Sequence, residues 1–236
     1  MIVFTKESIN SWLMLSGDTN PIHYDSESAN RAGYSAVVVP GMLLAMPIKQ
    51  TLIMDGKPGN CIEVYFKHIA ILGKSYEVIQ KENYVNFTDC DCGSTVAFGR
   101  KTDRQKNEPK GIIKFGEHIL KKEEIYARLQ TNEGKYHPIV TLESMFFAQM
   151  LNCFKYSNIW GVTGNDWLLS GNLLQANSKL YYKTMAINWI NQNLKIDFFM
   201  MSFSDYQPGN NNYISVFYDA TELGIRSNFL FVIKEW

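Results

Sequence analysis

Cysteine is scarce in this chain: Cys61, Cys90, Cys92 and Cys153 are its whole complement in 236 residues. No second pair at ligand spacing accompanies Cys90-x-Cys92, which excludes a structural zinc site built on two such pairs. On a strand the two thiols would share one face, as a redox pair needs, but free thiols in a reducing cytosol are the simpler expectation. Net charge is also missing, with Lys plus Arg at 23 and Asp plus Glu at 23. Without a basic field, nucleic acid and anionic membrane surfaces are not expected partners. No uninterrupted apolar run is long enough to cross a bilayer. The Met1–Glu7 start lacks a basic stretch followed by an apolar one, so a cytoplasmic chain is expected. Phosphate-binding glycine loops, metal-ligand clusters and nucleophile elbows are absent as well.

What is present is ordinary globular content: 46% hydrophobic and 19% charged residues, too apolar for a disordered chain. The length allows one large domain or two modest ones. Tyrosine and phenylalanine, at 13 and 14, suit half-buried strands. Thr5 to Leu15 reads as a helix, with Thr5 as N-cap, Glu7 in the first turn and Ile9, Trp12 and Leu13 on one face. Ser16-Gly17-Asp18-Thr19-Asn20-Pro21 breaks it with turn chemistry, and a short helical stretch follows at Ser26–Ala32. Met42–Ile53 is apolar and poor in β-branched residues, which favours a buried helix. From Cys61 the pattern changes: Ile62, Val64 and Phe66 alternate with Glu63, Tyr65 and Lys67, predicting a half-buried strand running to Leu72. Gly73-Lys74 is a turn, and Ser75–Gln80 and Tyr84–Phe98 supply further strands. Thr102–Lys110 is the most polar stretch and the best linker.

The second half repeats the plan. Pro138–Phe154 has helical spacing, and strand-rich runs follow at Leu168–Tyr182, Leu194–Ser204 and Tyr213–Ile233. Asp166-Trp167 and Gly209–Asn212 read as turns between them. Each half is thus one long buried helix and an antiparallel meander, with no residue-by-residue repeat.

Chemistry concentrates in Ser16-Gly17-Asp18-Thr19-Asn20-Pro21-Ile22-His23. A carboxylate and an imidazole stand five positions apart across a proline-stiffened turn, where they can share a water or an abstracted proton. Asn20 suits a turn-pinning role. The competing reading is an Asx turn in which Asp18 and Asn20 serve only local amides.

This segment, with Asp25, with Pro40-Gly41-Met42-Leu43 ahead of an apolar helix, and with Tyr65-Phe66-Lys67 leading to Gly73, resembles the MaoC-like, hydratase-2 type (R)-specific enoyl-CoA hydratases and dehydratases. The resemblance covers roughly the first hundred residues. It implies an α+β hot-dog fold, in which a long helix lies in a curled antiparallel sheet and paired units share a site. For this chain that means a double hot-dog, with residues 1–103 carrying the motif and residues 112–236 forming a degenerate half without it. The resemblance further implies that Asp18 and His23 are the catalytic pair and that Asn20 holds their loop. Gly41 would offer its backbone N–H to a thioester oxygen, and Pro40 and Met42 would line the substrate. The implied reaction interconverts a 3-hydroxyacyl and a 2-enoyl thioester, carried on coenzyme A or on the phosphopantetheine of an acyl carrier protein. No metal or other cofactor is implied.

Two departures bear on substrate choice. The family commonly has His where this chain has Pro40, and a small polar residue near the position of Pro47, Ile48 and Lys49. In the second half, His137 and Glu143 occur near a helix start, but their spacing does not fit a catalytic pair, and a capping or surface role is expected. His68 and His118 read as packed or solvated. Lys49, Lys57, Lys67 and Lys74 are candidates for a basic patch at the pocket mouth. A monomeric double hot-dog or a homodimer of them is expected. The rivals are a hot-dog acyl thioesterase and a non-catalytic acyl-thioester-binding subunit.

Overall fold

The computed structural model describes residues 1–56, 59–82, 84–103, 113–131, 136–159, 161–170, 173–182, 193–202, 212–220 and 223–233. Strand β1 (Ile2–Val3) leads into helix α1 (Lys6–Ser16), a 3₁₀ turn (Pro21–His23), α2 (Ser26–Arg31) and α3 (Gly41–Met54). Strands β2 (Cys61–Phe66), β3 (Ser75–Gln80), β4 (Val85–Asp89) and β5 (Thr95–Thr102) complete the first half. The second comprises β6 (Ile113–Leu120), α4 (Lys122–Thr131), α5 (Pro138–Phe154), β7 (Asn158–Ile159), β8 (Val162–Thr163), α6 (Gly164–Leu169), β9 (Leu173–Tyr181), β10 (Leu194–Ser202), β11 (Asn212–Ala220) and β12 (Ile225–Ile233).

Ten strands form one antiparallel sheet in the order β1-β3-β4-β5-β2-β9-β12-β11-β10-β6. Read inward from either edge, the order is the same. Number the sheet strands of each half by sequence, and both run 1-3-4-5-2, with the long helix inserted after strand 1. The halves join where strand β2 pairs with β9, from Cys61 opposite Tyr181 to Tyr65 opposite Asn177. α3 packs on β2 to β5, α5 on β6, β10 and β11, and the two helices touch. The duplicated plan anticipated from the paired helix-and-meander pattern is therefore present in the topology.

Both long helices are apolar nearly all round, the signature of a buried helix. On α3, Met42 to Met46, Ile48, Lys49 and Leu52 are buried; on α5, every residue from Ile139 to Ala148 is. Aromatic rings tie helices to sheet: Phe146 meets Tyr218 edge-on at 5.1 Å and Phe147 meets Phe229 at 4.9 Å. α3 can lie close to β5 because Gly99 has no side chain. A Cβ there would run into Ile48 Cγ2 and come within 2.9 Å of Leu52 Cδ1. Gly99→Ala should therefore overpack the first core at a cost of roughly 1–3 kcal/mol. Thermal denaturation would show this as a Tm several degrees below wild type.

Helix α1 starts as anticipated, with Thr5 and Ser8 closing a capping box. Other readings need correction. β2 does not alternate: Cys61, Ile62, Glu63 and Val64 are all buried, and pairing with β5 and β9 sets Arg100 and Lys179 beside Glu63 on the face that a half-buried strand would expose. Glu63 is tolerated there by Arg100 at 2.8 Å and Lys179 at 3.5 Å. The strand also stops at Phe66 rather than continuing to Leu72. Cys90 and Cys92 lie in the exposed turn between β4 and β5, not on one strand face. Asp166 and Trp167 belong to α6, N-capped by Thr163, instead of a turn.

β6 and α4 were not legible. β6 is a sheet edge with Ile113 and Ile119 exposed, and α4 is short and largely polar, so neither carries a clear burial period. Thr102 ends β5, and residues 104–110 of the expected linker lie outside the described residues, as do 209–211 of the Gly209–Asn212 run. No helix among the described residues is long and apolar enough to cross a membrane.

Candidate active site

α1 ends at Gly17, whose φ of 61° places it in the left-handed region and lets its N–H reach Leu13 O at 2.8 Å. The loop beyond is held by short-range bonds. Asp18 N–H donates to Ser16 Oγ at 3.2 Å, Asn20 N–H to Asp18 Oδ1 at 3.0 Å, and Ile22 N–H to Asn20 Oδ1 at 3.4 Å. Pro21, with φ preset, opens the 3₁₀ turn that presents His23.

The two oxygens of Asp18 face different partners. Asp18 Oδ1 is spent on the Asn20 amide, whereas Oδ2 faces His23 Nε2 at 3.7 Å. The imidazole is oriented from behind by Nδ1, 2.8 Å from Val38 O. A carbonyl only accepts, so Nδ1 carries the proton of that contact, and in a neutral imidazole Nε2 would be the acceptor. The 3.7 Å between Oδ2 and Nε2 is too long for a direct hydrogen bond and leaves a place for a hydroxyl or a water that touches both. Their side chains are only 9% and 11% exposed, so that place is nearly dry.

Asp18, Asn20, His23, Pro40, Gly41 and Met42 all line one cavity of about 390 Å³, so the structure brings every sequence-nominated site residue together. Trp12, Phe147, Leu151 and Leu168 give it an apolar end. Gly41 is the first residue of α3, and no side chain caps that helix from Pro40. Its leading N–H groups have no intrahelical partner and carry the positive end of the dipole. Glycine at position 41 lets Gln175 approach closely: a Cβ would lie 2.7 Å from Gln175 Oε1 and 3.2 Å from Gln175 Cβ. Gly41→Ala should leave the helix intact, since alanine is the better helix former, but push the two walls of the site apart. We expect kcat to fall on the order of 10- to 100-fold with little change in Tm, readable from steady-state kinetics beside a melting curve.

The second half holds the motif loop in place, which the sequence did not disclose. Asn20 Nδ2 donates to Leu173 O across the halves at 3.2 Å, and Lys155 donates to Gly17 O. Gln175 lies in the wall beside Gly41. These partners sit outside any motif, on a strand and a helix end whose only local signal is apolar pattern.

Other candidates fall elsewhere. Of the lysines, Lys67 is exposed and lines the cavity beside exposed His68, which stands just past the end of β2. Lys74 pairs with Asp89 at 3.0 Å, and Lys57 lies outside the described residues. Lys49 is wholly buried, 2.5 Å from Glu143, so neither is a surface group. Burial pushes the Lys49 pKa down from its ordinary value, against the pull of Glu143. His137 caps α5, its Nδ1 accepting from Ile139 N–H at 3.3 Å. His118 is half-buried on β6. Among the described residues, no group of three or more His, Cys, Asp or Glu could hold a metal.

A long buried helix against an antiparallel sheet, laid down twice in one sheet, defines an α+β protein of hot-dog fold. A solved MaoC-like dehydratase shares that fold over 100% of this chain and 95% of its own, with a TM-score of 0.59 at 12% identity. Residues 2–69, which contain the motif loop and α3, match the MaoC like domain family model and form a MaoC-like segment. Two curated relatives align with short stretches. A mitochondrial 3-hydroxyacyl-(acyl-carrier-protein) dehydratase of Arabidopsis thaliana is 44% identical over 43 residues, 18% of this chain and 26% of that protein. The FERN dehydratase of the same name from Solanum lycopersicum is 40% identical over 42 residues, again 18% and 26%. The chain thus spans about a quarter of the length of the curated relatives it matches.

Proposed function

We propose that this chain is a hydro-lyase that interconverts a 3-hydroxyacyl thioester and a 2-enoyl thioester, with Asp18 and His23 as the acid–base pair. The observation that carries this reading is Asp18 Oδ2 facing His23 Nε2, 3.7 Å apart at the wall of a largely apolar cavity that a helix N-terminus also lines. In the hydration direction, a water held between the two groups bonds through its oxygen to C3 of the enoyl group. Its released proton passes to the pair, and a proton returns to C2. Dehydration is the reverse, and the balance needs only water and protons, with no further cofactor. Negative charge gathers on the thioester oxygen as C2 becomes enolate-like. In this reading the Gly41 N–H, backed by the α3 dipole, receives it, while Pro40 and Met42 line the wall beside it.

Residues 1–103 carry the chemistry in this reading, and residues 112–236 close the pocket. One detail favours a single site per chain: where α3 begins with Gly41, α5 begins with Pro138, which has no N–H to offer an oxyanion. The names of the curated relatives specify an acyl carrier protein and support that carrier; coenzyme A, with the same phosphopantetheine arm, is the alternative, and a fatty-acid-like or polyketide setting is part of this proposal. Exposed Lys67 at the mouth suits the phosphate that either carrier brings.

The test is to supply short and medium enoyl and 3-hydroxyacyl thioesters on pantetheine, coenzyme A and acyl carrier protein, following the double bond and free thiol together. Double-bond change without thiol release is the expected result. Thiol release would make the protein a thioesterase, and binding without turnover on any carrier would make it an acyl-binding subunit.

A further inference from the structure

We infer that Gln175, from the second half, is a substrate-touching donor that shares the thioester oxygen with the Gly41 N–H; this rests on the thioester reading above. Three observations converge on it. Gln175 lines the same cavity as Asp18, His23 and Gly41. Its amide lies against Gly41, near enough that a Cβ on that residue would meet Oε1 at 2.7 Å and Cδ at 3.3 Å. Its Nε2 is shut off from solvent yet has no hydrogen-bond partner.

The last point needs a reason. A primary amide nitrogen brings two donors, and leaving them unpaired away from water is costly. Gln175 stands on β9 between the apolar residues Leu174 and Ala176, both of which also line the cavity, and an apolar residue in its place would carry no such cost. An unspent donor in a wall of a ligand cavity is accounted for if an acceptor arrives with the ligand. The acceptor has to lie near Gly41, because the Gln175 amide does. In an acyl thioester held with C2 and C3 at the Asp18–His23 pair, that acceptor is the carbonyl oxygen. Rotation about the terminal side-chain bond brings Nε2 to it while the strand stays fixed. One N–H at a helix end then becomes two donors from two halves of the chain. That arrangement also explains why the motif half needs the second half for more than closure.

The variants that separate this from packing are Gln175→Met, which keeps bulk without a donor, and Gln175→Glu, which keeps shape and presents an acceptor. If Gln175 polarises the carbonyl, kcat falls on the order of 100-fold in Gln175→Met, and KM moves far less. Gln175→Glu falls further, and Gln175→Asn recovers part of the loss. A second readout does not depend on turnover. Isotope-edited infrared spectra of a bound saturated acyl-pantetheine, labelled at the thioester carbonyl, should show a lowered stretch in the wild type. In Gln175→Met the stretch should move back towards the free value. A Gln175-dependent stretch without turnover of enoyl or hydroxyacyl substrates would uphold the donor and discard the hydro-lyase. Normal kcat and an unchanged stretch in Gln175→Met would overturn the donor while leaving the hydro-lyase standing. Failure of the wild type to bind the acyl-pantetheine would overturn both.

Discussion

Asp18→Asn is expected to lower kcat/KM for the enoyl or 3-hydroxyacyl thioester by about 10²–10⁴-fold with the melting temperature nearly unchanged. The two halves of that expectation come from different oxygens of one side chain. Oδ1 accepts the Asn20 N–H and shapes the loop; an asparagine oxygen does the same. Oδ2, facing His23 Nε2, becomes an NH₂ group in the variant. The site then presents a donor where a water proton must be accepted, and the ground-state loop survives while its chemistry does not. His23→Ala should cost a similar factor, because it removes Nε2 and strands the Val38 carbonyl. Since the two groups act on one water, the double variant should lose little more than either single one. Steady-state kinetics on the three variants beside their melting curves check this. Full additivity would mean that the residues work at separate places.

The largest effect on stability is expected at the ion pair between the two long helices. Lys49 Nζ donates to Glu143 Oε1 at 2.5 Å and Ser178 Oγ at 2.7 Å, and it stands 5.9 Å from the centre of the Phe229 ring. Glu143 Oε1 also accepts from Ser227 Oγ at 2.8 Å. Neither side chain has any solvent exposure. Removing one partner leaves the other as an unpaired charge in a dry core, so Lys49→Met or Glu143→Leu alone should cost about 3–5 kcal/mol. In a chain of this size that is a fall in Tm on the order of 10 °C. The double replacement takes both charges away at once and should recover most of the loss. A double variant as unstable as the sum of the singles would show that the pair contributes more than mutual neutralisation.

The contrast between these two sites shows what the sequence could disclose. The motif loop was readable because its shape is largely local: a Pro-stiffened turn holds Asp18 and His23 five residues apart, and the bonds that shape it are short-range except those to Val38, Leu173 and Lys155. The helices α3 and α5 were readable from uninterrupted apolar content, and α5 begins and ends where its pattern does. β2 misled because alternation assumes a solvated face, and one of the two side chains paired with Glu63 on that face, Lys179 of β9, is more than a hundred residues away. Lys49 and Glu143 misled for the same reason, each reading as a surface charge until the other half is placed against it. Gln175 had no sequence signal at all. A single glutamine on an apolar strand matters only through its contact with Gly41.

The most direct test of the hydro-lyase reading is to incubate the protein with a 2-enoyl thioester in ¹⁸O-labelled water and locate the label by mass spectrometry. The account predicts one ¹⁸O at C3 of an intact 3-hydroxyacyl thioester, with no label in free acid, and loss of that product in Asp18→Asn. Label in a released carboxylate, with C3 unlabelled, would contradict it and assign the same loop to thioester hydrolysis.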